Sequence, residues 1–284
     1  MKKYRLFKQL LAVAIISTPY TSCYTGYQPT GVPVSRQKEN IYYVPTTPNT
    51  GLSPVKGDVN ISLLRPSENN FGGFEAQVAT HPTNHLSLGA AVLTGSNKDG
   101  GQKYTSFYRV EMGAGYYTPR KRRWQFEALA GAGFGSLKNY HVTGTSNISQ
   151  VNYFVQPAFA YNNKEKTFHL NFSSRFTFVQ FKVKDTSFST NAEYYSAAQL
   201  KSLYSDPGEL MWEPAIIMKA GYKNLFFHLG YTGVINVNPV ADYLGGDDLN
   251  IAKGNLSFGV TARLLTKGVK RQNLPALNSQ SPEQ

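Results

Sequence analysis

The chain has 284 residues, including 29 Lys or Arg, 17 Asp or Glu and one Cys, and its net charge is +12 at pH 7. The basic residues are dispersed apart from one run at 120–123, which excludes the basic stripe of a nucleic-acid-binding protein. The single cysteine excludes a disulfide within the chain. With 25 Gly, 19 Tyr and 17 Phe at a mean hydropathy of −0.35, the composition favours β-structure with one apolar face over membrane-spanning helices.

The first segment of the chain, residues 1–22, predicts an export signal. Its basic start is followed by the apolar run LLAVAII (10–16), which is too short to cross a bilayer because a spanning helix needs about 20 apolar residues. A small residue, Ser22, precedes Cys23, and this pattern resembles a bacterial lipoprotein signal. The resemblance implies that Cys23 becomes the first mature residue and carries lipid, palmitate included. Tyr20 departs from the aliphatic residue usual there, and an ordinary secretory signal with an incidental cysteine is the alternative.

Three further regions follow the signal. Residues 23–56 are rich in Pro and Gly without a sustained period, which predicts an extended linker. Residues 57–266 are predicted to form one all-β domain. The polar tail, 267–284, is predicted to be disordered.

The central region alternates apolar and polar residues with a period of two, which predicts β-strands. In FHLNFSSRFTF (168–178), for example, one face is mostly Phe and Leu and the other is polar. Ten strands are predicted, at about 58–65, 71–80, 85–94, 103–117, 123–137, 149–161, 166–182, 209–222, 224–236 and 254–266.

The connections between these strands are mostly short and long in turn. The long ones are predicted at 95–102, 138–148, 183–208 and 237–253. Short turns at one end and long loops at the other, with an even strand count, indicate an up-and-down antiparallel β-barrel of about ten strands. Residues 191–204 carry apolar residues at near-helical spacing, which predicts a short helix in one surface loop.

The polar face of the strands is predicted to line the lumen of a transmembrane β-barrel. It carries charges of both signs that can pair in a narrow interior, together with many glycines. This predicts a lumen polar network, whose members are Arg109, Glu111, Glu127, Arg175, Glu213, Lys219 and Arg263. The alternative is a soluble, lipocalin-like barrel with its apolar face inside.

Aromatic residues flank the short turns, as in the girdle of an outer-membrane barrel. The predicted girdle consists of Tyr116, Tyr117, Trp124, Tyr161, Phe168, Tyr222 and Phe227.

The layout of signal, Pro-rich linker, FEAQVATHPTNHLSLGA hairpin (74–90) and aromatic strands resembles the outer-membrane β-barrel (lipo)proteins of Bacteroidetes-type bacteria. The resemblance implies an outer-membrane location, with membrane lipid and the barrel assembly machinery as partners, and it implies no single activity. The first acid after Cys23 is Glu39. Because surface-bound lipoproteins of such bacteria carry acids directly after the cysteine, the lipid anchor is expected on the periplasmic side, where both barrel termini would emerge.

The predicted function is non-enzymatic, with a structural or surface-interaction role, and no cofactor, metal or catalytic residue is expected. Loops 183–208 and 237–253 are the candidates for an extracellular ligand, with 138–148 also at the surface. The alternatives are a narrow small-solute channel, a soluble ligand binder, or an outer-membrane hydrolase. A hydrolase would use His141 with nearby acids, of which the candidates are Asp185, Asp242, Asp247 and Asp248.

Overall fold

The computed structural model describes residues 41–49, 57–68, 71–99, 102–118, 123–141, 144–163, 167–188, 208–222, 224–237 and 251–264. By its internal contacts the chain divides into two units, Met1–Val34 and Ser35–Gln284, and every described residue belongs to the second. The strands are β1 (Val59–Glu68), β2 (Phe71–Thr80), β3 (Leu86–Asp99), β4 (Gln102–Tyr117), β5 (Trp124–His141), β6 (Gly144–Asn162), β7 (Phe168–Phe188), β8 (Gly208–Tyr222), β9 (Leu225–Gly233), β10 (Ile235–Asn236) and β11 (Gly254–Leu264).

The strands form one closed antiparallel barrel. From β1 to β9 each strand pairs with the next along the chain, and β11 closes the sheet by pairing with both β9 and β1. The short strand β10 follows β9 after Val234 and pairs with β8 as β9 does. Strands β9 and β10 therefore occupy one of ten strand positions around the barrel. The prediction of an all-β, antiparallel, ten-stranded barrel is confirmed.

Side chains fix the short turns at one end of the barrel, which we call the short-turn end. Thr83 accepts hydrogen bonds at its Oγ1 from the backbone nitrogens of His85 (3.3 Å) and Leu86 (3.0 Å). Asn163 does the same through Oδ1 for Thr167 (2.9 Å) and Phe168 (3.1 Å). Such local bonds explain why Thr and Asn occupy these connections.

At the opposite end, which we call the extension end, the strands continue further than predicted. The expected loop at 138–148 is wrong, because β5 runs to His141 and β6 starts at Gly144 in continuous register. The predicted loops at 95–102 and 183–208 are likewise shorter than expected, because β3, β4 and β7 extend into them. Polar residues such as Lys138 had suggested loops, but they occupy the outer face of the extended strands.

The polarity of the two faces inverts along the strands. On β7, the residues that point outward change from Phe176 and Phe178 to exposed Gln180 and Lys182 towards the extension end. The inward residues change there from Arg175 and Thr177 to buried Val179, Phe181 and Val183. The barrel is therefore polar inside and apolar outside near the short-turn end, and apolar inside and polar outside near the extension end.

The apolar interior of the extension end forms the hydrophobic core of the described chain. It brings together residues from seven strands and from the segments before β1 and β11, namely Tyr42, Tyr43, Val44, Phe71, Leu93, Phe107, Leu137, Ile148, Val179, Phe181, Val183, Met211 and Ala252.

Among the described residues no helix is long and apolar enough to span a membrane. The predicted signal with Cys23, the helix at 191–204 and the tail at 267–284 lie outside the described residues.

Candidate functional site: a plugged lumen

A peptide segment, residues 41–49, runs through the barrel lumen, and we call it the plug. At the extension end, the backbone nitrogen of Ile41 donates to Thr105 Oγ1 at 3.0 Å. Nearer the short-turn end, Asn49 Nδ2 donates to the carbonyls of Val78 (2.8 Å) and Ala90 (2.9 Å). The plug therefore enters at the extension end and descends towards the start of β1.

Four charged side chains meet at the middle of the plug, and we call them the ion cluster. Glu111 Oε1 lies 2.8 Å from Arg175 Nη2 and 3.1 Å from Arg109 Nε, the latter at an angle that makes no hydrogen bond. Glu213 Oε2 lies 3.8 Å from Arg175 Nε. All four side chains are at most 4 % exposed. Buried charges require partners, and here two cations neutralise two anions.

The plug binds directly to this ion cluster. Tyr43 donates its hydroxyl to Glu213 Oε1 at 2.6 Å. Thr46 donates to Glu111 Oε2 at 2.9 Å and accepts from Arg175 Nη1 at 2.6 Å. These are hydrogen bonds to ionised groups, the stronger class in proteins.

Other lumen groups bind the plug through its main chain. The carbonyl of Val44 accepts from Arg109 Nη2 at 2.6 Å, and that of Pro45 accepts from Asn255 Nδ2 at 2.9 Å. Thr47 donates its backbone N–H to Glu75 (3.1 Å) and accepts at its carbonyl from Gln77 Nε2 (2.6 Å). The lumen wall thus recognises an extended peptide backbone.

Arg side chains also stack on aromatic rings beside the plug. The Arg109 guanidinium lies 4.7 Å from the centre of the Tyr43 ring, and that of Arg175 lies 4.0 Å from the Phe154 ring. Such cation–π contacts hold the planar guanidinium groups in place while their nitrogens bind carboxylates and the plug.

Glycines on the inner faces of β3, β4 and β5 make room for these contacts. A Cβ at Gly131 would lie 2.2 Å from the Met112 carbonyl oxygen and 2.5 Å from the Phe154 ring. A Cβ at Gly89 would lie 3.1 Å from Asn49 of the plug. Beside the plug there remains a cavity of about 20 Å³, enough for about one water molecule.

The predicted lumen residues divide into two groups. Arg109, Glu111, Arg175 and Glu213 come together in the ion cluster, whereas Glu127, Lys219 and Arg263 lie nearer the short-turn end. All of them except half-buried Lys219 are buried.

The three residues nearer the short-turn end have their own surroundings. Glu127 accepts a hydrogen bond from Ser87 and lies 3.6 Å from His81 Nε2. The Arg263 guanidinium lies 5.0 Å from the centre of the Phe226 ring. Lys219 lies on β8 directly between His169 and His228 of the neighbouring strands.

One residue of the predicted aromatic girdle faces the lumen. Tyr117 is 4 % exposed, its ring centre lies 3.9 Å from that of His81 in a tilted arrangement, and it donates its hydroxyl to the Thr83 carbonyl at 3.0 Å. The prediction for Tyr117 is therefore wrong, since neighbouring residues of a strand point to opposite faces and Tyr116 is exposed. Trp124, Tyr222 and Phe227 are exposed on the outer face.

The plug itself was missed in the sequence, where residues 41–49 belong to the predicted linker. β1 starts and β11 ends at the short-turn end, as predicted for the barrel termini, but Ile41 of the segment before β1 lies at the extension end. One signal pointed to the plug. The inner face of β4 and β5 is rich in glycine. Because glycine has no side chain, this face cannot fill the interior of a ten-stranded barrel, and another part of the chain must do so.

The residues of the hydrolase alternative are only partly described. His141 ends β5 and Asp185 lies on β7, both at the extension end. Asp242, Asp247 and Asp248 lie outside the described residues. Within the described residues no group of three or more His, Cys, Asp or Glu side chains is placed to hold a metal ion.

Comparison with known proteins gives likenesses to solved structures. No protein-family model matches the chain, and no curated protein matches it. Among solved structures, the crystal structure of the N-terminal β-barrel domain of Pseudomonas aeruginosa OprF matches with a TM-score of 0.36 and 8 % sequence identity. The match covers 74 % of this chain and 98 % of that one. By its own structure, the chain is a closed ten-stranded antiparallel β-barrel whose lumen holds a peptide plug.

Proposed function

We propose that the protein is a non-enzymatic outer-membrane β-barrel that holds the extension end of its strands at the cell surface. The inversion of face polarity along the strands is the observation that carries this proposal. A soluble barrel would keep its apolar side chains inside over the whole length of each strand. Here the apolar side chains face outward over one part of the barrel and inward over the other, as a change of surrounding solvent requires.

The outward apolar region, which we call the belt, has the height of a bilayer core. On β7 it runs from Phe168 to Phe178 and on β5 from Trp124 to Phe134, a span of eleven residues in each strand. At about 3.3 Å per residue this is about 33 Å along the strand. With the usual tilt of 35–45° the belt is about 25 Å tall, which equals the apolar band of known outer-membrane barrels.

The exposed apolar surface also argues for a lipid environment. Each of the eleven described strands carries at least one exposed large apolar side chain. Many of these side chains are aromatic, such as Trp124 at 59 % and Phe159 at 56 % exposure. Soluble monomers rarely expose contiguous apolar patches larger than a few hundred Å². A belt around the whole barrel would aggregate in water, whereas in a membrane it is solvated by lipid tails.

The two ends of the barrel support a definite orientation. Outer-membrane barrels have short turns in the periplasm and longer extracellular segments. We therefore assign the short-turn end to the periplasm and the extension end to the outside. The partners in this proposal are outer-membrane lipid and the barrel assembly machinery, and Cys23 is proposed to carry a lipid anchor.

The extension end is suited to present a surface because it has its own apolar core. Residues such as Leu137, Ile148 and Phe181 pack inside it, so the projecting strands do not depend on lipid for their order. This supports a structural or surface-interaction role, in which loops within 183–208 and 237–253 would contact an extracellular ligand. It supports an open pore less well, because the plug occupies the lumen.

The proposal is tested by the mobility of the full-length protein on a gel, boiled against unboiled, after separation of outer membrane from periplasm. We expect recovery in the outer membrane and a heat-dependent shift in mobility, because closed membrane barrels resist detergent until heated. Recovery in the soluble periplasm without a shift would overturn the proposal and favour the soluble ligand-binding barrel.

A further inference from the structure

The plug carries no charge, although it passes through the most highly charged part of the lumen. Its nine residues, IYYVPTTPN, include no Lys, Arg, Asp, Glu or His. The ion cluster is neutral without it, since Arg109 and Arg175 balance Glu111 and Glu213. Removal of the plug therefore leaves no member of the ion cluster without a partner of opposite charge.

The plug is also not part of the sheet. Within the described residues its one ladder contact is an isolated parallel bridge between Tyr43 and Ile251, with the Ala252 nitrogen donating to the Tyr43 carbonyl at 2.9 Å. Pro45 and Pro48 have no N–H group and cannot join a ladder. From Val44 to Asn49 the plug is held by hydrogen bonds to polar side chains of the wall and by those of the Asn49 side chain to two strand carbonyls, and water can replace both kinds when the plug moves.

The lumen wall cannot close the space that the plug occupies. The inner faces of β3, β4 and β5 beside the plug carry Gly89, Ala91, Gly113, Gly131 and Gly133. These residues have no side chains long enough to reach across the barrel. The charged side chains of the ion cluster, on β4, β7 and β8, pair with one another and stay in the lumen, so departure of the plug leaves a polar path beside charged groups.

We propose that residues 41–49 are a displaceable plug, and that the barrel conducts small ions when the plug leaves the lumen. This activity rests on the proposed membrane location and goes beyond the proposed surface role. The plug opens the path by exchanging its hydrogen bonds to the ion cluster for hydrogen bonds to water. The residues that decide how long it stays are Tyr43 and Thr46, whose side chains make hydrogen bonds to the ion cluster.

The test is conductance of the full-length protein in planar bilayers. The loosened variant is Tyr43→Phe with Thr46→Val, which removes three hydrogen bonds to the ion cluster. Because a hydrogen bond to a charged group stabilises by about 1.5–3 kcal/mol, we expect the frequency of openings to rise by at least about tenfold. The matched control is Tyr153→Phe with Thr94→Val, the same changes at exposed positions on the outer face, which should behave as wild type.

A second variant locks the plug in place. Tyr43→Cys with Ile251→Cys, in a Cys23→Ser background, places two cysteines at a bridge pair. Neighbouring strands lie about 4.8 Å apart, within the Cα separation that a disulfide accepts. We expect the oxidised protein to be silent and the reduced protein to open more often than wild type, because the bond from Tyr43 to Glu213 is gone.

The outcomes separate this inference from the proposed location. A loosened variant that shifts on heating but opens no more often than its control would overturn the displaceable plug. Equal conductance of the oxidised and reduced locked protein would overturn it as well. Failure to enter bilayers, together with absence of the heat-dependent shift, would instead count against the membrane barrel itself.

Discussion

At the residue scale, the ion cluster shows why a narrow barrel needs both signs of charge inside. Glu111 is the central member, since it contacts Arg109, Arg175 and Thr46 of the plug. Each of the four charges in the cluster is neutralised by a neighbouring charge. Removal of one partner therefore costs more than the interaction itself contributes, because it leaves the other charge buried alone.

This predicts a large loss of stability for Glu111→Gln. The free energy of unfolding should fall by about 3–5 kcal/mol, because Arg109 and Arg175 would share one remaining carboxylate, that of Glu213. The measurement is urea unfolding of the folded protein in lipid vesicles. Asp185→Asn is the matched control, since Asp185 is exposed and its change should lie within about 0.5 kcal/mol of wild type. Equal stability of the two variants would contradict the assigned role of Glu111.

Glycine has a steric role on the inner face of the barrel. A Cβ at Gly131 would meet the Met112 carbonyl oxygen, an atom of the backbone that cannot move aside without disturbing the ladder. We expect Gly131→Ala to lower the free energy of unfolding by about 1–3 kcal/mol through overpacking. At Gly72 a Cβ would meet no atom within 4 Å, so Gly72→Ala is the control. A Gly131→Ala protein as stable as its Gly72→Ala counterpart would show that the close contact is relieved without cost.

At the element scale, the longest strands divide into a part within the belt and a part that extends beyond it at the extension end. Strand β7 has 21 residues, about twice the 9–11 that cross a bilayer, and its excess lies at the extension end. The same division occurs on β5 and β6, which pair along their full lengths. If a strand passes from lipid into water, its outward side chains must change from apolar to polar. The position of that change defines the edge of the belt.

The belt predicts a position-dependent cost of charge along one strand. Phe172 lies near the middle of the β7 belt and Gln180 lies beyond its edge, both outward and exposed. Phe172→Arg should reduce the stability of the folded protein in lipid vesicles by about 2–4 kcal/mol, whereas Gln180→Arg should cost about 0–1 kcal/mol. The measurement is again urea unfolding in vesicles. Equal effects of the two substitutions would argue against a membrane edge between these positions.

At the scale of the whole molecule, the barrel, its plug and its projecting end are joined by contacts between distant parts of the chain. Tyr43 and Glu213 are 170 positions apart in sequence, yet they are hydrogen-bonded in the lumen. The barrel must close around the plug before these contacts exist. The plug therefore stabilises the completed barrel rather than any one hairpin.

The lipid anchor is a prediction for the whole protein in its cell. Incorporation of labelled palmitate should be lost in Cys23→Ser, while the heat-dependent shift of the barrel is retained, because Cys23 precedes the barrel in sequence. Tyr20→Leu restores the aliphatic residue of lipoprotein signals and should raise the fraction of processed, labelled protein. Continued labelling of the Cys23→Ser protein would show that the palmitate is attached at another residue.

Much of the barrel follows from local pattern. The alternation of FHLNFSSRFTF, for example, identifies β7 and both of its faces, because the side chains of a strand alternate with a period of two. The inward position of Arg175 follows from the same alternation. The prediction stopped too early at Lys182, since the inverted polarity beyond that point has the appearance of a polar loop.

The sequence by itself determined the ten strand positions of the barrel and the polar and apolar faces near the short-turn end, because these depend on residues two positions apart. Only the tertiary structure decided that IYYVPTTPN lies inside the lumen and that Tyr117 faces His81. It also decided which charges pair, since Glu111 meets Arg175 across 64 positions of chain. A closed barrel brings such residues together through its curvature and register, and no local pattern records either of them.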